Sequence, residues 1–163
     1  MRGSVIIRAV LCMLSLIWLT RAMADERAVT EDRDFWVIQT SVYTRHFKPA
    51  PEHNNQQDLL GLEHHAASGR LYGVATFRNS FGQRSVYGYV GRRIDSKRYP
   101  VYLKLTGGLI HGYRDEYRDK IPLNRYGIAP VIIPGVGVRI GPVTAEAVLL
   151  GASATMLSVG IRF

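Results

Sequence analysis

The chain closes on Thr155-Met156-Leu157-Ser158-Val159-Gly160-Ile161-Arg162-Phe163, and the reading of these nine residues decides the fold. Odd positions carry Thr, Leu, Val, Ile and Phe; even positions carry Met, Ser, Gly and Arg. Side chains alternate between the faces of a strand, so one face here is apolar and ends in an aromatic, while the other is small or polar and carries a charge. A soluble sandwich would turn the charged face to water. A membrane barrel would turn the apolar face to lipid and point Arg162 into the lumen. Alternation alone does not choose between them. A strand that ends on phenylalanine resembles the assembly signal of bacterial outer-membrane barrels, which favours the second.

Working back from that strand, Val143-Thr144-Ala145-Glu146-Ala147 repeats the pattern, with Glu146 on the same face as Thr144. Strand-like runs recur over Trp36–Tyr43, Asp58–His65, Arg70–Phe77, Gln83–Arg92, Val101–Tyr113, Tyr126–Ile140, Val143–Leu150 and Thr155–Phe163, and no long stretch of helical period separates them. Ser68-Gly69, Phe81-Gly82, Asp95-Ser96 and Gly141-Pro142 mark turns between runs. The nine tyrosines suit the aromatic girdles of a membrane barrel. The expected fold is all-β: an eight-stranded antiparallel up-and-down transmembrane β-barrel, residues 25–163.

The N-terminal segment predicts the address. A basic start is followed by an apolar run of 12 residues, Ala9 to Thr20, and by Ala22-Met23-Ala24. That is the pattern of a cleaved secretory signal peptide over residues 1–24, too short to span a bilayer. The single cysteine, Cys12, leaves with it, so no disulfide staples the exported domain. The leader holds three basic and no acidic residues, so its removal lowers the formal charge from +8 to +5. For an exported chain this balance suits anionic lipid headgroups or a plainly solvated basic surface and points away from nucleic acid. The implied location is the bacterial outer membrane.

An eight-stranded barrel has room for side chains or one small ligand and none for an aqueous channel, which excludes a transporter. Val131-Ile132-Ile133 and Val148-Leu149-Leu150 put apolar groups on both faces, as a partly dry lumen would require. Pro130, Pro134 and Pro142 lie in or beside the sixth and seventh strands, where proline cannot donate to a ladder. An open ladder inside a bilayer is costly, and it is tolerable where something passes laterally.

Chemistry-bearing residues are few. Ala75 to Tyr89, ATFRNSFGQRSVYGY, holds Ser80 in a polar knot between two strands, without the G-x-S-x-G context of a nucleophile elbow. The loop Pro51-Glu52-His53-Asn54-Asn55-Gln56-Gln57 follows His46 and suits sugar or phosphate headgroups as well as plain solvation. His64 and His65 fall on opposite faces and do not chelate together, and His111 belongs to a girdle or the lumen. Arg92-Arg93, Lys97-Arg98, Arg114 and Arg118 cluster near turns, where they hold lipid phosphates or are solvated. There is no H-E-x-x-H spacing and no phosphate-binding glycine loop.

Three segments together resemble the outer-membrane lipid A palmitoyltransferase (PagP) family: Arg70 to Phe81, RLYGVATFRNSF; Ala129 to Thr144, APVIIPGVGVRIGPVT; and the final Gly160-Ile161-Arg162-Phe163. The resemblance spans roughly Tyr43 to Phe163 and is densest in the second segment. It implies transfer of an acyl chain from a phospholipid donor to lipid A, without cofactor or metal, by a monomer in the bilayer. It places the catalytic histidine on His46 and the family's Asp-Ser pair on Asn79 and Ser80. It puts the acyl-chain pocket at Gly88 and Gly91 and a lateral gate at Pro130 and Pro134. Asn79 departs from the family's aspartate, the amphipathic N-terminal helix is missing, and Gly151 stands where a seventh-strand proline is expected. The alternative is a non-catalytic barrel that binds ligands through its extracellular loops; lumen character discriminates, a charged plug favouring that barrel and an apolar pocket below His46 and Ser80 the enzyme. A periplasmic lipid-binding β domain is a third reading.

Overall fold

The computed structural model describes residues 33–163 except Arg125; the leader at residues 1–24 lies outside the described residues. Eight strands form: β1 (Phe35–His46), β2 (Leu60–His65), β3 (Arg70–Arg78), β4 (Arg84–Asp95), β5 (Val101–His111), β6 (Ile128–Ile140), β7 (Val143–Leu150) and β8 (Ala154–Arg162). Each pairs antiparallel with the next, and β1 pairs with β8, closing an up-and-down barrel. The period-two reading therefore holds on the strands other than β1, which a bulge interrupts. Closure removes the two free edges of an open sheet, which is how an all-antiparallel sheet of this size satisfies most of its backbone. β1 runs three residues past the expected end at Tyr43, to His46.

Short turns at 66–69, 96–100 and 141–142 lie on one rim with the ends of the barrel chain. The other rim carries the connections 47–59, 79–83, 112–127 and 151–153, the third containing a short 3-10 helix, Asp115–Lys120. In outer-membrane barrels the short turns are periplasmic and the long loops extracellular.

The outer wall is apolar: Ile38, Leu62, Val74, Val90, Leu103, Leu105, Leu109, Ile132, Val136, Leu157 and Ile161 are all exposed. So broad an apolar belt suits hydrocarbon rather than water. Inside, the lumen has two layers. Toward the short-turn rim, Lys104 Nζ lies 2.7 Å from Glu63 and 2.8 Å from Glu146. Gln39 and Tyr89 donate to Glu63 at 3.0 and 2.8 Å, and Tyr102 donates to Glu146 at 3.2 Å. Buried charges persist only when paired in this way. Below them Arg93 and Arg162 stack their guanidinium groups on the Phe35 ring, and Arg162 points into the lumen as the closing strand predicts. Toward the loop rim the lining turns apolar, with Leu59, Ala75, Tyr87, Ile110, Ala129, Val148 and Met156 buried and Phe77, Val131, Ile133 and Leu150 packed on them.

Two irregularities position everything that follows. The β1–β8 register shifts between Ser41 and Tyr43, so Val42 is an extra residue on β1. A bulge of this kind reverses which parity faces inward. Phe35, Val37, Gln39 and Ser41 face the lumen below it, Thr44 and His46 above it. Second, the β6–β7 ladder runs from Ile140↔Val143 only as far as Gly135↔Val148. Residues 128–134 keep their β5 partners but have no β7 partner. Pro130 and Pro134 stand on this open edge with their rings on the outer wall.

Candidate functional site

His46 ends β1 at the loop rim, turned inward by the bulge, and is buried. Loop backbone holds it from both sides: Thr44 N–H donates to Asn55 O at 2.9 Å, and Phe47 N–H donates to Ser153 O at 2.9 Å. Its Nδ1 lies 2.9 Å from Asn55 Oδ1 and its Nε2 lies 2.9 Å from Ser80 Oγ. An amide oxygen only accepts, so Nδ1 carries the proton, and in the neutral ring the Nε2 lone pair then faces the serine hydroxyl. Asn55, His46 and Ser80 thus form a relay in which one neighbour can orient a base and the other can give it a proton.

Ser80 owes its place to Asn79. Asn79 is fully buried. Its Oδ1 accepts from the N–H groups of Phe81 and Gln83 at 2.9 and 3.0 Å, and its Nδ2 donates to Ser85 Oγ and Gly112 O at 3.2 and 3.4 Å. This is an Asx-type turn, closed by Gly82 N–H donating to Asn79 O, with Gly82 at φ +75°, where a side chain would be strained. Asn79 makes no hydrogen bond to His46; it shapes the loop that presents Ser80. The two loops are tied together by Asn54 N–H donating to Ser80 O at 2.8 Å and Arg78 N–H donating to Gln57 O at 2.6 Å. His53 stacks on the His46 ring at 4.2 Å, and Phe81 meets His53 edge-on at 5.7 Å. The Tyr113 phenol hydrogen-bonds at Ser80; burial pushes its pKa up, with the Ser80 bond pulling the other way.

Beneath the relay lies a cavity of about 760 Å³. His46, Ser80, Lys48, Glu52 and Lys120 line its mouth; Ala75, Ile110, Val131, Ile133, Val148 and Met156 are among its walls; Gln39, Glu63, Tyr89 and Lys104 close its floor. The volume is that of an ordinary small-molecule pocket. Ile132, 71% exposed on the outer wall, lines the same cavity, as do Leu150, Gly151 and Ala152. The cavity therefore meets the outside at the unpaired stretch of β6.

The residues expected for the acyl pocket are placed differently. Gly88 is on the outer wall, because β4 turns its odd residues inward, and three positions separate it from Gly91. Gly91 faces inward but does not line the cavity; a Cβ there would meet the Leu105 carbonyl and Thr106. The floor is instead the Tyr89 ring, which packs so closely over Gly73 that a Cβ there would lie 2.7 Å from it. His111 belongs to the rim of the outer wall, where its ring donates to Gly127 O at 2.8 Å. His64 and His65 do face opposite ways. Arg92 is outside and Arg93 inside. Among the described residues no group of three or more His, Cys, Asp or Glu side chains could hold a metal. Asn55 was not singled out by sequence; the polar run His53-Asn54-Asn55 after His46 was its only signal.

No protein-family model matches the chain, and no curated protein matches it. Among solved structures the chain is similar to the outer membrane protein Ail of Yersinia pestis, determined as a backbone structure in a phospholipid bilayer nanodisc. The identity is 15%, the TM-score 0.45, and the match covers 80% of this chain and 100% of that one.

Proposed function

We propose that this chain is an outer-membrane acyltransferase that moves a palmitoyl-like acyl chain from a phospholipid to lipid A, with Ser80 carrying the chain between them. The observation that supports this best is the Asn55–His46–Ser80 relay standing over an apolar cavity that opens through the barrel wall. A relay over a filled, charged lumen would have no use for a hydrocarbon chain. A dry cavity without a base would have no chemistry.

In the proposed reaction Ser80 Oγ attacks the donor's ester carbonyl and gives its proton to His46 Nε2. The acyl–oxygen bond breaks and the departing lysophospholipid alkoxide takes that proton. A lipid A hydroxyl then gives its proton to His46, attacks the acyl-serine carbonyl, and Ser80 leaves and recovers the proton. Asn55 holds the ring in the tautomer that both half-reactions need. The Tyr113 phenol, kept protonated by burial, is a donor beside the oxygen where charge develops. The acyl chain lies along Ala75, Ile110, Val131 and Met156, and enters through the gap between β6 and β7 beside Pro130 and Pro134.

The charged layer of Lys104, Glu63 and Glu146 favours a second reading, a barrel that binds ligands through its loops without catalysis. Mass spectrometry of lipid A separates the two. Cells with the chain should gain lipid A heavier by one acyl chain, and cells with His46→Ala or Ser80→Ala should not. A gain that survives both substitutions sinks the site, and no gain under any growth condition leaves the loop-binding barrel.

A further inference from the structure

The outer wall of the β3–β4 hairpin carries two directly opposed arginine pairs. Arg78 faces Arg84 at the loop rim and Arg70 faces Arg92 at the short-turn rim, all four on the outward face. Between them the outward positions hold Tyr72, Val74 and Thr76 on β3 and Val86, Gly88 and Val90 on β4. The pairs are eight residues apart along β3, roughly 26 Å of strand. With the tilt of a barrel strand that is about 20 Å of height, close to the apolar band of an outer-membrane barrel. Each pair therefore stands where hydrocarbon gives way to headgroups.

Like charges directly opposite on a sheet destabilise the pairing unless an anion lies between them. At the loop rim Asp58 Oδ2 lies 3.7 Å from Arg78 Nε, both exposed, and Arg78 donates weakly to Gly82 O at 3.5 Å. An exposed pair of this length contributes little. Among the described residues Arg84 has no hydrogen-bond or ion-pair partner for its guanidinium, and Asp58 is the one carboxylate within ion-pair distance of the group. A third cation is brought to the same rim. The Gln83 amide holds the Arg114 backbone on both sides, accepting from its N–H at 3.0 Å and donating to its carbonyl at 3.4 Å.

We infer that Arg78, Arg84 and Arg114 form a phosphate clamp for an anionic lipid of the surrounding leaflet, a phosphorylated glycolipid of the lipid A type. Planar guanidinium forks match phosphate oxygens bidentately, and three of them suit a group of charge near −2. Arg78 and Arg84 lie two and four residues from Ser80, at the β3–β4 wall, whereas the donor gap lies at β6–β7. The clamp thus sets the acceptor on one side of the relay and the donor on the other. This placement rests on the acyltransferase reading; the binding itself does not.

The test uses the full barrel refolded in nanodiscs of zwitterionic phospholipid, titrated with bisphosphorylated lipid A. Each basic residue near an anionic surface contributes about fivefold. R78Q/R84Q should therefore weaken binding about tenfold or more, while R70Q/R92Q should change it less than twofold. Lipid A stripped of its phosphates should bind the wild type at least as weakly as the phosphorylated lipid binds R78Q/R84Q, which keeps Arg114. Unchanged heat-modifiable mobility on gels establishes that the variants are folded. Undiminished binding by R78Q/R84Q, or equal binding of the stripped lipid, overturns the clamp. Displacement of the lipid by millimolar inorganic phosphate also overturns it, because the site would then be a plain anion site. Ser80→Ala should bind like the wild type, so a chain without transferase activity still reports on the clamp.

Discussion

His46, Asn55, Ser80 and Asn79 divide the work of the site among four side chains of different kinds. Ser80→Ala removes the proposed acyl carrier and should lower the rate of lipid A acylation by about 10²–10⁴-fold, the scale of a lost acid–base or nucleophilic group. Asn55→Ala leaves the serine and histidine in place but frees the imidazole to turn or change tautomer. Turnover should fall by about tenfold to a hundredfold with little change in donor KM, and Asn55→Asp, which keeps the accepting oxygen, should recover most of it. A purely structural Asn55 would lose activity and folded yield together, and the aspartate would rescue neither selectively. Asn79→Ala is a different experiment. It strips a fully buried side chain from four hydrogen bonds, a loss of about 1–3 kcal/mol, and should expose the 79–83 loop to protease while the strands stay protected. That His46 and Ser80 would stand together was legible from the resemblance. Asn55 was not, because eight residues of irregular loop separate it from His46, and no periodicity says which polar group of a loop folds back.

Strand irregularities aim these side chains. Deleting Val42 removes the bulge but leaves Tyr43↔Leu157 directly after Ser41↔Ser158, so His46 should still face the lumen opposite Ala154 and the barrel should still close. The expected outcome is a folded, heat-modifiable protein that keeps acyl transfer; loss of transfer with the fold intact would mean that the bulge does more at the site than add one residue to β1. At the β6–β7 gap, Ile132→Trp places bulk where the cavity meets lipid. It should raise the donor KM several-fold and leave stability within about 0.5 kcal/mol, as exposed substitutions do. The floor makes a third test. Because a Cβ on Gly73 would lie 2.7 Å from the Tyr89 ring and 2.9 Å from the Leu62 carbonyl, Gly73→Ala should make the ring give, and the open space beside it is the cavity. The acyl chains transferred, read by mass spectrometry, should then become shorter. The same substitution at Gly88 meets nothing within 4 Å and should leave chain length unchanged.

Across the whole barrel, one lumen serves two opposed demands. The half toward the short turns is filled by paired charges and rings, and the half toward the loops is left open and apolar. The plug makes the opening tolerable by tying β1, β2, β4, β5 and β7 together through Glu63, Lys104, Glu146, Gln39, Tyr89 and Tyr102. Lys104→Met strands two buried carboxylates and should cost about 3–5 kcal/mol, seen as a large fall in the temperature at which the folded band disappears from gels. Replacing Glu63, Lys104 and Glu146 together with apolar residues of similar volume should cost far less. If the triple variant also keeps activity, the plug acts as structure and the loop-rim cavity is sufficient for transfer.

Alternation along Val143–Leu150 and Thr155–Phe163, together with turn residues at regular spacing, determined the eight strands, their inner and outer faces and the apolar wall. Those are local properties: period two follows from backbone geometry, and each strand carries its own record of what lies on either side. The tertiary structure alone decided that Val42 is bulged, that β6 outruns β7, that Tyr89 rather than Gly91 forms the floor, and that Asn55 meets His46. Each of these depends on register or loop closure between segments distant in the chain. A one-residue shift in pairing reverses every face beyond it, and nothing in the shifted strand's own sequence records the partner that imposed it.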